Sequence, residues 1–214
     1  MAECTLEKTM IHYCSLPNIL YSRFDLQESP KLIPTENGIY FWWIKNLPEI
    51  VPLEDCIQIK EYYLVYSGIS PDKKGKPNSK STLRTRLRTH YFGNAEGSTL
   101  RRTLGILLAQ QSGFPLRRVG SGKRMTFTHL GEQWLDHWME ENTRISWILD
   151  PEPWVLEENM FKSVSLPLNL KGNEHVFKSS LSTLRKEAIT QARILEIANE
   201  LGIQRKHRSS LSVN

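Results

Sequence analysis

Six residues, set in order along the chain, carry the side chains that hydrolysis of a phosphodiester needs: Tyr40, Tyr66, Arg86, His90, Glu157 and Asn169. A water must lose a proton, the extra negative charge of the transition state must be stabilised, and the leaving oxygen needs a proton or a cation. A metal ion can serve more than one of these needs. A carboxylate projecting from a helix, as Glu157 would, can hold one hard divalent cation whose other positions are filled by waters and phosphate oxygens. Arg86 offers a planar fork of donors for a phosphate oxygen. His90 follows four residues later, one turn along the same helical face, where it can serve the reacting water or a phosphate. A tyrosine at its ordinary pKa near 10 is a poor base. A nearby cation and arginine make its phenolate more accessible. Each residue also has a plainer reading: a solvated helix glutamate, a surface arginine between Arg84 and Arg88, a core histidine, two core tyrosines.

The elements that would position these side chains follow from local pattern. Residues 37–44 and 61–67 are rich in aromatic and β-branched residues and predict two strands, pairing as an antiparallel hairpin with a long loop over 45–60. Gly38 and Gly68 suit places where strands bend or approach closely. Residues 71–80 are polar and read as an exposed loop, after which Ser79 or Ser81 would cap a helix running through His90. Ser98 or Thr99 would cap the next helix, with Leu100, Leu104, Leu107 and Leu108 as its apolar stripe. Residues 123–129 alternate like a strand, 131–141 read as a helix, and 143–149 as another strand. Pro153 suits the first turn of a helix over 153–164 that carries Glu157. A last amphipathic helix is expected over 179–201, with Leu181, Leu184, Ala188, Ile194 and Ile197 on its buried face. Asn18–Ser22 reads as a short helix.

This order of elements predicts an α/β (α+β) sandwich: a small, mainly antiparallel central sheet flanked by helices. With 214 residues, 39% of them hydrophobic and six of them Trp, the chain can bury a core. No apolar run approaches the roughly 18 residues of a membrane span. The N-terminus lacks the pattern of a signal peptide. Cys4, Cys14 and Cys56 have neither paired nor metal-like spacing and read as reduced thiols. A cytoplasmic protein is expected.

The net charge of +5 is modest. Its distribution says more, with Lys and Arg gathered in 73–88, 101–102, 117–124 and the tail 185–208. Lys73, Lys74, Lys76 and Lys80 in the loop, Arg84 and Arg88 on the helix, and Arg101 and Arg102 beyond it are expected to follow a nucleic-acid backbone.

The ordered set resembles the GIY-YIG nuclease family. Gly38-Ile39-Tyr40 stands for its first tripeptide and Tyr66-Ser67-Gly68 for its second, with the middle residue changed. The Arg86–His90 pair is similar to the family's Arg followed by His or Tyr. Leu156–Lys162 followed by Leu166–Asn169 resembles its metal-site helix and terminal Asn, the glutamate and asparagine standing twelve positions apart (157 to 169).

The resemblance implies that Tyr40 and Tyr66 are the active-site tyrosines, Arg86 and His90 the cationic pair, Glu157 the ligand of Mg²⁺ (or Mn²⁺), and Asn169 a supporting hydrogen bonder. It covers roughly 36–175. Residues 1–35 become an N-terminal extension, 91–142 an insertion in the core, and 176–214 a C-terminal helix and basic tail. It implies a divalent-metal-dependent DNA endonuclease, and a stand-alone chain of this size looks like a restriction or defence enzyme. A structure-specific repair or recombination nuclease and a catalytically idle DNA-binding module are the rival readings. RNA stays open as a substrate, as does the number of subunits.

Overall fold

Gly38–Ile44 is buried at every position and forms β1, paired along both edges. The computed structural model describes residues 19–72 and 78–199, and places β1 between β3 (Tyr62–Ser70) and β6 (Thr143–Leu149). A two-residue strand β2 (Gln58–Ile59), within the predicted connection, completes a four-stranded antiparallel sheet in the order β2-β3-β1-β6. A strand sheathed on both edges and both faces has no solvent side, which is why its sequence is continuously apolar instead of alternating. Tyr40, Trp42 and Ile44 enter the larger core cluster, and Ile39, Phe41 and Trp43 the smaller one. Each fully buried large side chain contributes about 1.5–3 kcal/mol.

On the side of the larger cluster lie α1 (Arg23–Glu28), α2 (Leu83–Phe92), α3 (Thr99–Leu107), α4 (Ala109–Ser112), a small hairpin of β4 (Arg117–Val119) and β5 (Arg124–Thr126), α5 (Thr128–Asn142) and α7 (Lys178–Ile194). On the other face α6 (Pro153–Ser163) packs Met160 against Ile39, Phe41 and Trp43. The chain is thus the α+β sandwich its pattern predicts. No helix among the described residues is long and apolar enough to cross a membrane.

The boundaries differ from expectation where several similar residues compete. Thr82, not Ser79 or Ser81, caps α2: its side chain accepts from the Thr85 N–H, and Thr85 answers to the Thr82 N–H. Ser98 caps α3 as expected. Residues 19–22 are not helical: Tyr21 bridges to Ile145 of β6, and Ser22 caps α1. The last helix ends at Ile194, leaving Ile194 and Ile197 exposed, while Ala192 is buried in their stead. Cys4, Cys14, Lys73, Lys74, Lys76 and the tail from residue 200 lie outside the described residues.

Two irregularities position the site. Trp42 pairs with Tyr66 and Trp43 with Leu64, so Val65 is an unpaired extra residue, a β-bulge. The bulge breaks the alternation of β3. Val65 and Tyr66 therefore both reach the larger cluster, and Tyr66 shares the face of Tyr40. The second irregularity is at the outer edge of β3, where β2 ends early. Beyond it, Leu168 N–H donates to the Val65 carbonyl. The Asn169 amide then pairs with both backbone groups of Ser67, accepting from its N–H and donating to its C=O, each at 2.9 Å. A side chain here does what a neighbouring strand would do.

Candidate active site

A cleft of about 1410 Å³ opens where β3 outruns β2, and residues from both faces of the sheet meet in it. Tyr40, Tyr66, Arg86 and Arg185 line it together with Glu157, Trp154 and Phe161 of α6 and with Asn169.

Tyr40 is the hub. Its ring lies across Gly68, its partner on β3, so closely that a Cβ at 68 would overlap the phenol. Only glycine leaves that space. The Tyr40 hydroxyl receives the Arg86 Nε–H at 3.3 Å and meets His90 Nε2 at 2.9 Å. His90 Nδ1 lies 2.7 Å from the Ser98 hydroxyl. Tyr66 lies near enough to Tyr40 and Arg86 to feel both electrostatically, which closes the group.

The electrostatics follow from burial. Burial raises the Tyr40 phenol far above its ordinary value, and the neighbouring Tyr66 raises it further. Burial likewise raises Tyr66, with Arg86 pulling the other way. Burial works against the Arg86 charge, yet the two phenols hold its pKa above the usual arginine value. His90 is driven well below the ordinary histidine range by burial and then by Arg86 and Arg101, so it is neutral at pH 7. A neutral His90 with its proton on Nδ1 donates to Ser98 and accepts the Tyr40 O–H at Nε2. His90 is fully buried behind Tyr40. That is at odds with the expectation that it serves the water or a phosphate directly: its ring reaches Tyr40 and not the cleft.

Glu157 projects from α6 into the cleft. Burial, and then the charge of Asp72, push its carboxyl up to about 7. A half-buried carboxylate under like-charge pressure, open to a cleft, is a fitting seat for a hard cation. No group of three or more His, Cys, Asp or Glu gathers among the described residues. The donor set is therefore one carboxylate, Glu157, with Asp72 near enough to share its field. That is the sparse protein shell that suits Mg²⁺, which keeps waters and takes substrate oxygens.

The basic residues divide. Arg101 is wholly buried, held by Glu132 at 2.7 Å, by Asp136 at 2.7 Å, and by the Tyr91 carbonyl. It braces α3 against α5, which corrects its assignment to a phosphate-binding surface. Arg102 pairs with Glu96 and donates to the Ala95 carbonyl. Arg84 donates to the Ile33 and Lys31 carbonyls. Both are thus engaged in tying the fold. Arg88 is exposed over the Phe92 ring, and Lys80 is exposed. Arg117 and Arg118 cap the end of α7 through the Glu196, Ala192 and Leu195 carbonyls.

Arg185 was missed, read as the start of a tail. It lies mid-helix on α7, lining the cleft, and donates to the Thr103 hydroxyl at 3.2 Å. Its signal was present: it stands four residues after buried Leu181, on the stripe where an apolar residue would pack.

A family model described as the GIY-YIG catalytic domain matches residues 38–187. No curated protein matches the chain. No solved structure matches it either.

Proposed function

Because the chain belongs to the GIY-YIG family of nucleases, we propose that it is a divalent-metal-dependent DNA endonuclease of the restriction or defence type, working in the cytoplasm. The observation that carries the reading is the convergence of Tyr40, Tyr66, Arg86 and Glu157, from four separate elements, in one cleft.

In this reading Glu157 holds Mg²⁺ or Mn²⁺, which would supply positive charge to the reacting phosphate and acidify the attacking water. Arg86 is held by the Tyr40 phenol and turns its remaining N–H groups to the scissile phosphate, where they stabilise the added charge. Tyr66 is the less enclosed of the two tyrosines; after its own proton has left to solvent through the cleft, its phenolate, favoured by Arg86 and the cation, takes the proton from water. Tyr40 stands behind it, and its own proton faces His90 Nε2. Asn169 touches no reacting atom. It holds β3 in register at Ser67, between Tyr66 and Gly68.

The test is incubation of the pure protein with supercoiled plasmid and with branched DNA, with and without Mg²⁺. Plasmid nicking that requires Mg²⁺, and that is abolished by Glu157→Ala but kept by Glu158→Ala, is expected. Preference for branched DNA would move the role to repair or recombination. Tight DNA binding without cleavage in Mg²⁺ or Mn²⁺ would make the protein an idle binding module.

A further inference from the structure

Among the described residues, nearly every half-buried or buried arginine is engaged by a carboxylate or a backbone carbonyl. Arg23 meets Asp136 and Glu140. Arg101 meets Glu132 and Asp136. Arg102 meets Glu96, and Arg84, Arg117, Arg118 and Arg144 donate to carbonyls. Arg86 and Arg185 differ. Arg86 donates to the Tyr40 phenol and Arg185 to the Thr103 hydroxyl, so neither charge is answered by an anion or a carbonyl there. Both line the same cleft.

A guanidinium is costly to desolvate without a counter-charge, and a hydroxyl satisfies only one of its five N–H donors. Burial and the nearby Arg102 both work against the charge on Arg185. An apolar residue at 185 would pack on α3 without that cost. The side chain therefore stands where it is useful only to an anion that enters the cleft. Thr99, one turn before Thr103 on α3, lines the same wall and adds a hydroxyl donor.

We propose that Arg185 grips a backbone phosphate of the bound DNA strand next to the scissile phosphate held by Arg86, so that the strand is fixed at two successive phosphates across the cleft. This rests on the nuclease reading above. It makes Arg185 a binding residue, acting before the chemical step.

The test separates the two readings by measuring binding with cleavage switched off. A labelled duplex is titrated in EDTA across a salt series with the wild type, Arg185→Gln and Arg185→Lys, each checked by thermal melting. Arg185→Gln should bind about tenfold more weakly, with the log–log salt slope flattened by about 0.9, the value of one lost phosphate contact. Arg185→Lys should keep the slope. At low DNA concentration in Mg²⁺, cleavage by Arg185→Gln should fall about tenfold, in step with its affinity. An unchanged salt slope in a folded Arg185→Gln overturns the proposal, because a strut between α7 and α3 would not release counterions. If Arg185→Gln fails to fold, the wild type is titrated against duplexes carrying a single neutral methylphosphonate in turn. Two adjacent sensitive positions support the proposal, and one alone overturns it. A wild type that shows these binding effects yet never cuts would sink the hydrolytic reading and leave the Arg185 contact standing.

Discussion

Arg101 and Arg86 both sit near the start of a short helix, yet the fold treats them in opposite ways. Arg101 is wholly enclosed and answered by two carboxylates, and it serves as a brace. Arg86 is half-buried, faces a cleft, and is met by the Tyr40 phenol, which cannot neutralise it at pH 7. The contrast separates a cation that the fold itself answers from one that it leaves open to the cleft. The residue type and the secondary structure are shared; the difference is whether the protein itself provides the anion. His90 lies between the two and feels both charges.

The comparison breaks first, and by the largest margin, if Arg101 proves dispensable. Arg101→Met removes one partner from a buried ionic cluster, leaving Glu132 without its cation and Asp136 with Arg23 alone. It should cost about 3–5 kcal/mol of stability, read by chemical denaturation.

Next comes Arg86→Ala. It should lower the cleavage rate by about a hundredfold, as removal of one positioned charge stabiliser does. Its melting temperature should move little, since no carboxylate is stranded. A large loss of stability with unimpaired turnover would reverse the roles assigned to the two arginines.

The smallest effect sharpens the comparison through His90. In the unfolded chain a histidine takes up a proton near pH 6.5, whereas folded His90 does so only well below that. More protons are then bound in the unfolded state, so stability is lost as pH falls below about 6.5 and is fully present above it. The wild type should lose about 1.4 kcal/mol per pH unit in that window from this group alone, and His90→Gln should lose that component. Parallel pH profiles for the two proteins would mean that His90 is not held neutral.

The sheet was legible because its strands are written in local composition: the continuous apolar run of β1 and the Thr143–Leu149 segment of β6 need no distant information. The site tripeptides and the Glu157 helix were legible for a similar reason, each being a short segment with its own pattern. What was not legible depends on partners far along the chain. Arg101 reads as a surface cation until Glu132 and Asp136, beyond a hairpin, close over it. The bulge at Val65 leaves no mark on a strand whose every residue favours extended backbone, yet it decides that Tyr66 faces Tyr40. Arg185 was grouped with a basic tail because charge clustering looked one-dimensional, while helical spacing from Leu181 places it on the packed side. The cap of α2 was misplaced because Ser79, Ser81 and Thr82 are all competent hydroxyls, and only the reciprocal bond with Thr85 selects the last.

The amide of Asn169 also bears on how copies of this protein behave toward one another in concentrated solution. An uncovered strand edge is a template on which a second chain can lay its own strand, and such pairing grows into aggregates. β2 shields only the first residues of β3, so the stretch through Ser67 would offer its N–H and C=O groups to any neighbour. By filling both, a single side chain spends the edge's capacity for recruitment inside the molecule. The cleft can then stay open to a polyanion without the sheet beneath it being open to another sheet.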